Sequence, residues 1–142
     1  MEINEFLDKN GYNTTTNFDL RDISRDLNLK NLKVVMCNEL PEYSKSQNVI
    51  CNLQTSNEPG SHWVLCSREF NIYFDSYGIV PILEVANYFS SEYKYNTIQV
   101  QPNNTEICGQ LCLYVLYKLY NKSKFEDIVV NINSKAMTRA KL

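Results

Sequence analysis

Apolar positions along the chain change spacing several times, and each change marks an element. Over 2–9, Ile3, Phe6 and Leu7 share one helical face, and Gly11 supplies a stop. The stretch 17–29 (NFDLRDISRDLNL) mixes charge with Leu and Ile without a clean period and reads as loop, with room for one helical turn. Residues 32–37 (LKVVMC) read as a strand, 38–47 as a polar connection, and 48–54 (NVICNLQ) as a second, β-branched strand. The composition of 55–61 (TSNEPGS) is that of a turn.

Two further runs, 62–67 (HWVLCS) and 71–76 (NIYFDS), flank a polar Arg-Glu-Phe and predict a hairpin. A two-residue turn at Glu69-Phe70 pairs Arg68 with Asn71, Val64 with Asp75 and His62 with Tyr77. The run 79–93 places Pro81 near a helix start, with apolar residues at 82, 85, 86 and 89, a helical spacing. Residues 95–101 predict a short strand, followed by a Pro-Asn-Asn turn. The run 106–123 (EICGQLCLYVLYKLYNKS) is apolar nearly all round and predicts a buried helix. The tail, about 131–142, is mildly basic and is expected to be loose. This order predicts one α+β domain over 1–142, its sheet packed on a central buried helix.

Composition narrows the function. The 142 residues are 44% hydrophobic and 21% charged, with four Gly, four Pro and a formal net charge of −2. With a pI near 5.4, no bulk positive field exists to hold nucleic acid. No apolar run approaches the ~20 residues that cross a bilayer, and the acidic N-terminus is unlike a secretory signal. A soluble, intracellular protein is expected. Five cysteines, an odd number without dense spacing, argue against a disulfide framework. The sequons at Asn13, Asn103 and Asn121 are silent outside the secretory route.

The only histidine, His62, stands behind a Gly-Ser turn at the head of an apolar run. Cys108 falls two or three residues into the buried helix, after the Asn103-Asn104-Thr105 capping cluster. A helix N-terminus presents unpaired N–H groups and partial positive charge, which stabilise a thiolate. A thiolate needs a base, and His62 is the one imidazole available. The hairpin register places Asp75 diagonally from His62 on the same face, where it can orient the ring; a slip of one residue would turn it away. A different reading takes His62, Cys66, Cys108 and Cys112 as a Cys3His zinc site, although no tight cysteine knuckle is present. Each residue also has a plain structural reading: Cys108 and Cys112 as packing, Trp63 as core or a lid over substrate, Asp75 as a turn residue, Gln101 as a strand end.

The segments GSHWVLCSREFNIYFDSYG and VQPNNTEICGQLC, taken together and in this order, resemble the adenain-type maturation cysteine proteases of adenoviruses and related viruses and virophages, and more distantly the SUMO-deconjugating cysteine proteases. The resemblance covers roughly residues 30–120 and is strongest at 60–78 and 99–114. It implies a papain-like α+β fold with a mixed, mostly antiparallel sheet. It also implies His62 as general base, Asp75 as orienting carboxylate, Cys108 as nucleophile, and Gln101, seven residues earlier, as oxyanion donor. Trp63 would line the substrate site. The implied enzyme is a monomeric endopeptidase that trims capsid and core precursors at Gly-containing sites, within the infected cell and the virion. No metal or organic cofactor is required. An activating peptide and DNA are implied partners, but the chain is shorter than the adenovirus enzyme and acidic, which gives DNA weak electrostatic footing. A ubiquitin-like-protein deconjugase is the runner-up, normally with a longer domain, and a catalytically dead capsid or scaffold binder is a third reading.

Overall fold

The computed structural model describes residues 1–43, 45–54 and 62–140, without the side chains of 134–140; the turn expected at 55–61 lies outside the described residues. Helix α1 (Ile3–Asn10) buries Ile3, Phe6 and Leu7, and ends where Gly11, at φ +92°, donates its N–H to the Leu7 carbonyl. The stretch read as loop is a helix, α2 (Asn17–Asp26). Thr16 and Asp19 form a reciprocal capping box: Thr16 Oγ1 accepts from the Asp19 N–H at 3.1 Å, and Asp19 Oδ2 accepts from the Thr16 N–H at 2.9 Å. Leu20 is fully buried, and Ile23 and Leu27, three and seven residues on, pack partly buried against the same core.

Among the described residues, five strands form a single sheet in the order β1 (Leu32–Met36), β2 (Asn48–Asn52), β3 (Trp63–Ser67), β4 (Ile72–Phe74), β5 (Lys94–Tyr95). The central pairings β2–β3 and β3–β4 are antiparallel; the outer pairings β1–β2 and β4–β5 are parallel. The sheet is therefore evenly mixed rather than mostly antiparallel. Each outer pair is joined by a helical crossover, through a 3-10 helix (Cys37–Tyr43) or through α3 (Leu83–Ala86), and such a connection returns the chain in the same direction. The 3-10 helix occupies part of what was read as a polar connection.

Alternation along the strands divides the core. Val34, Ile50, Trp63, Leu65, Ile72 and Phe74 face one side, where α4 (Cys108–Tyr120) packs along β3 with α1 and α2 beside it. Val35, Val49, Cys51, Val64, Cys66 and Tyr73 face the other, covered by Leu40, Val85 and Tyr88. The predicted buried helix is thus present.

Three elements differ from expectation. The helix expected over 79–93 shrinks to the four residues of α3, leaving Ile79, Val80 and Leu83 exposed. Beyond Asn87 the chain turns so that the Tyr88 hydroxyl donates to the Ser46 carbonyl and Phe89 stacks on Tyr93. The strand expected over 95–101 pairs only at 94–95, and the N–H groups of Val100 and Gln101 both donate to the Ser76 carbonyl instead. Last, α5 (Phe125–Ala140) covers positions read as a loose tail. Phe125, Ile128, Val129 and Ile132 recur at helical spacing and are buried, with Glu126 and Asp127 in the first turn. Among the described residues no helix is long and apolar enough to cross a membrane.

Candidate active site

The hairpin brings its two ends to one edge of the core. Leu65 lies opposite Phe74, Cys66 opposite Tyr73 and Ser67 opposite Ile72, the register expected from the sequence. The connection is longer than a two-residue turn: it spans 68–71, with the Phe70 N–H donating to Ser67 Oγ and Asn71 at φ +55°. His62 immediately precedes β3 and Asp75 immediately follows β4. His62 Nε2 lies 2.7 Å from Asp75 Oδ1, with the histidine side chain 14% exposed and the aspartate 2%.

Cys108 stands close enough to the imidazole to act on its protonation. Cys108 is the first residue of α4, not two or three residues inside it. The N-cap is Ile107, without a side-chain cap, and Thr105 Oγ1 donates back to the Pro102 carbonyl rather than serving the helix. No capping side chain therefore competes for the first-turn N–H groups beside the sulfur. Cys108 Sγ also accepts the Trp63 N–H at 3.4 Å. Burial by itself lowers the affinity of His62 for a proton, but its hydrogen bond to Asp75, the neighbouring Cys108 and the charges of both outweigh it and push the imidazole from 6.5 to about 9. A thiol beside a ring that holds its proton so firmly has a partner for thiolate formation.

Gln101 is 1% exposed. Its Oε1 accepts from Ser76 Oγ at 2.6 Å, which orients the carboxamide, and its Nε2 donates to the Thr105 carbonyl at 2.8 Å and to the Tyr77 hydroxyl at 3.3 Å. Gln101 and Cys108 line a common cleft of about 240 Å3 together with Thr14, Thr15, Trp63, Tyr77, Thr105 and Glu106. Trp63 is a core residue with one edge on this cleft: it is 6% exposed, and its Nε1–H donates to the Thr15 carbonyl at 3.2 Å. Gln110 Nε2 donates to the Gly11 and Asn13 carbonyls, so the segment 11–15 is tied to α4 as a wall of the cleft. Gly109 permits that approach, since a Cβ there would lie 2.3 Å from Thr15 Oγ1 and 2.8 Å from Leu20 Cδ2.

Sequence reasoning missed three supporting residues. Ser76 orients Gln101. Tyr77 stacks on the His62 ring and donates its N–H to Asp75 Oδ1 at 2.9 Å. Asn96, buried, accepts the Asp75 N–H at 3.1 Å and donates to the Asp75 carbonyl at 2.6 Å, pairing with that residue as a strand would. The signal for the first two was the adjacency Asp75-Ser76-Tyr77; nothing local marks Asn96.

The four residues of the alternative zinc site do not assemble. Cys108 and Cys112 belong to the core on the α4 side of the sheet, whereas Cys66 points into the opposite core, so the sheet separates them. Among the described residues there is no group of three or more His, Cys, Asp or Glu able to hold a metal ion. Burial pushes the thiols of Cys51, Cys66 and Cys112 up, which makes them inert packing groups. A larger groove, about 460 Å3, lies between β5 and α5, but its lining holds neither cysteine nor histidine. The chain matches no protein-family model, and no characterised protein matches its sequence.

Proposed function

We propose that the protein is a cysteine endopeptidase with a papain-like, adenain-type arrangement. The observation that carries this reading is one imidazole hydrogen-bonded to a buried carboxylate and close to the thiol at the mouth of α4, with Gln101 lining the same cleft as that thiol. In the proposed reaction His62 takes the Cys108 proton, and Sγ attacks the carbonyl carbon of a peptide bond. The carbonyl oxygen becomes an oxyanion that accepts hydrogen bonds from the Cys108 N–H and Gln101 Nε2. Collapse breaks the C–N bond, the imidazolium proton passes to the leaving amine, and a thioester remains. Water, deprotonated by His62, then releases the acid and restores the thiol. Asp75 holds the ring and its charge throughout. These steps require no metal or organic cofactor.

The substrates proposed from the resemblance are viral capsid and core precursors cut at small, Gly-containing sites. An activating peptide belongs to the same proposal; DNA is a weaker partner for an acidic chain. The test is turnover of a Gly-containing peptide library by the wild type and three variants. Cys108→Ala and His62→Ala are each expected to abolish cleavage, while Cys112→Ala keeps most of it. Equal loss in all three would mean that folding, not chemistry, was disturbed. Cleavage of SUMO conjugates with none of the peptides would favour a deconjugase.

A further inference from the structure

Of the residues lining the cleft, Tyr77 alone contacts every catalytic element assigned above except the nucleophile itself. Its ring centroid lies 4.8 Å from that of His62 with 29° between the planes. Its N–H donates to Asp75 Oδ1, the same oxygen that faces His62 Nε2. Its hydroxyl accepts from Gln101 Nε2. The peptide unit behind it has little freedom: Gly78, at φ +71°, donates to the Asp75 carbonyl at 2.8 Å, and a Cβ at Gly78 would come within 2.8–2.9 Å of the backbone of Thr97 and Ile98. The 75–78 turn is therefore wedged between the hairpin end and the 97–98 strap, and its side chains are presented in a fixed direction.

We propose that Tyr77 is a positioning residue with two separable contributions: its ring face fixes the rotation of the His62 imidazole between Asp75 and Cys108, and its hydroxyl aims one Gln101 N–H into the cleft. The proposal rests on the cysteine-peptidase reading of the same site. A histidine anchored at Nε2 by Asp75 can still swing about that bond, and a stacked aromatic face restricts the swing. The Gln101 amide has two N–H groups. One is committed to the Thr105 carbonyl at 2.8 Å, whereas the 3.3 Å contact to Tyr77 is the longer and more easily exchanged. A substrate oxyanion would take over that second N–H, already pointed by Tyr77. Burial and the neighbouring charges of Cys108 and Asp75 raise the phenol, so it stays neutral and able to accept.

The two contributions are separated by Tyr77→Phe, which keeps the ring, and Tyr77→Leu, which keeps apolar bulk without an aromatic face; circular dichroism establishes that each folds. The first measurement is the pH profile of iodoacetamide alkylation, with mass-spectrometric assignment to Cys108, and needs no substrate. Tyr77→Phe is expected to reproduce the wild-type profile, and Tyr77→Leu to slow Cys108 labelling and shift its inflection. The second is peptide cleavage. Tyr77→Phe should lower kcat by about tenfold with KM little changed, because an oxyanion donor acts in the transition state, and full loss of such a donor costs about 100–1,000-fold. If both variants keep the wild-type alkylation profile and kcat, Tyr77 is only cleft lining and the proposal fails alone. If both shift the alkylation profile alike, the separation of ring from hydroxyl is wrong. If wild-type Cys108 is alkylated no faster than Cys112, the peptidase reading fails and takes this proposal with it.

Discussion

At the scale of single residues, the site is governed by what surrounds one imidazole. Buried alone, His62 would release its proton more readily than in water; beside Asp75 and Cys108 it holds the proton to about pH 9. The sign follows for two observables. The stabilisation that the native partners give the charged ring is complete below its ordinary value of 6.5 and is lost as pH rises through about 9. The imidazolium that protonates the leaving amine disappears over the same upper range, so kcat/KM should fall on an alkaline limb near pH 9. Asp75→Asn should move that limb toward neutrality; a wild-type limb already near 6.5 would contradict the assignment. Gly109 shows a second residue-scale constraint, steric rather than electrostatic. Gly109→Ala forces a methyl into Thr15, Leu20 and the Trp63 edge, and such overpacking costs roughly 1–3 kcal/mol. Urea unfolding should register the loss, and activity should fall as the 11–15 wall is displaced.

At the scale of elements, legibility followed the kind of signal each segment carries. The hairpin was readable to its register because a turn centred on Glu69-Phe70 sets Leu65 opposite Phe74, and the longer 68–71 connection keeps that centre, which brings Asp75 to His62. The buried helix was readable because it is apolar on all sides. Helix α2 was legible in principle: Leu20, Ile23 and Leu27 fall at helical spacing behind the Thr16–Asp19 box, but the charged residues interspersed from 19 to 26 obscure the stripe. Helix α5 had a stripe, Phe125, Ile128, Val129 and Ile132, with acids in its first turn, and was legible in principle. α3 failed for the opposite reason. Its helical spacing at 82, 85, 86 and 89 is real, but the helix stops at Asn87, and Tyr88 finds a tertiary partner in the Ser46 carbonyl.

At the scale of the molecule, the sheet is a divider with two cores, and the candidate site lies where the divider ends. Helix α5 closes the larger core against α1, with Ile132 fully buried. Ile132→Ala should therefore cost about 2–5 kcal/mol in urea unfolding, although it makes no contact with the cleft; a change below 0.5 kcal/mol would show that α5 is peripheral. The chain by itself determined the residue types of the site, their order, the α+β class and the central hairpin, because each depends on neighbours a few positions apart. Only the tertiary structure decided that Cys108 begins its helix uncapped, that Asn96 grips Asp75 from 21 residues away, and that Cys66 stands on the wrong side of the sheet to share an ion with Cys108. Those outcomes depend on which surfaces meet across the core, and local spacing holds no record of that.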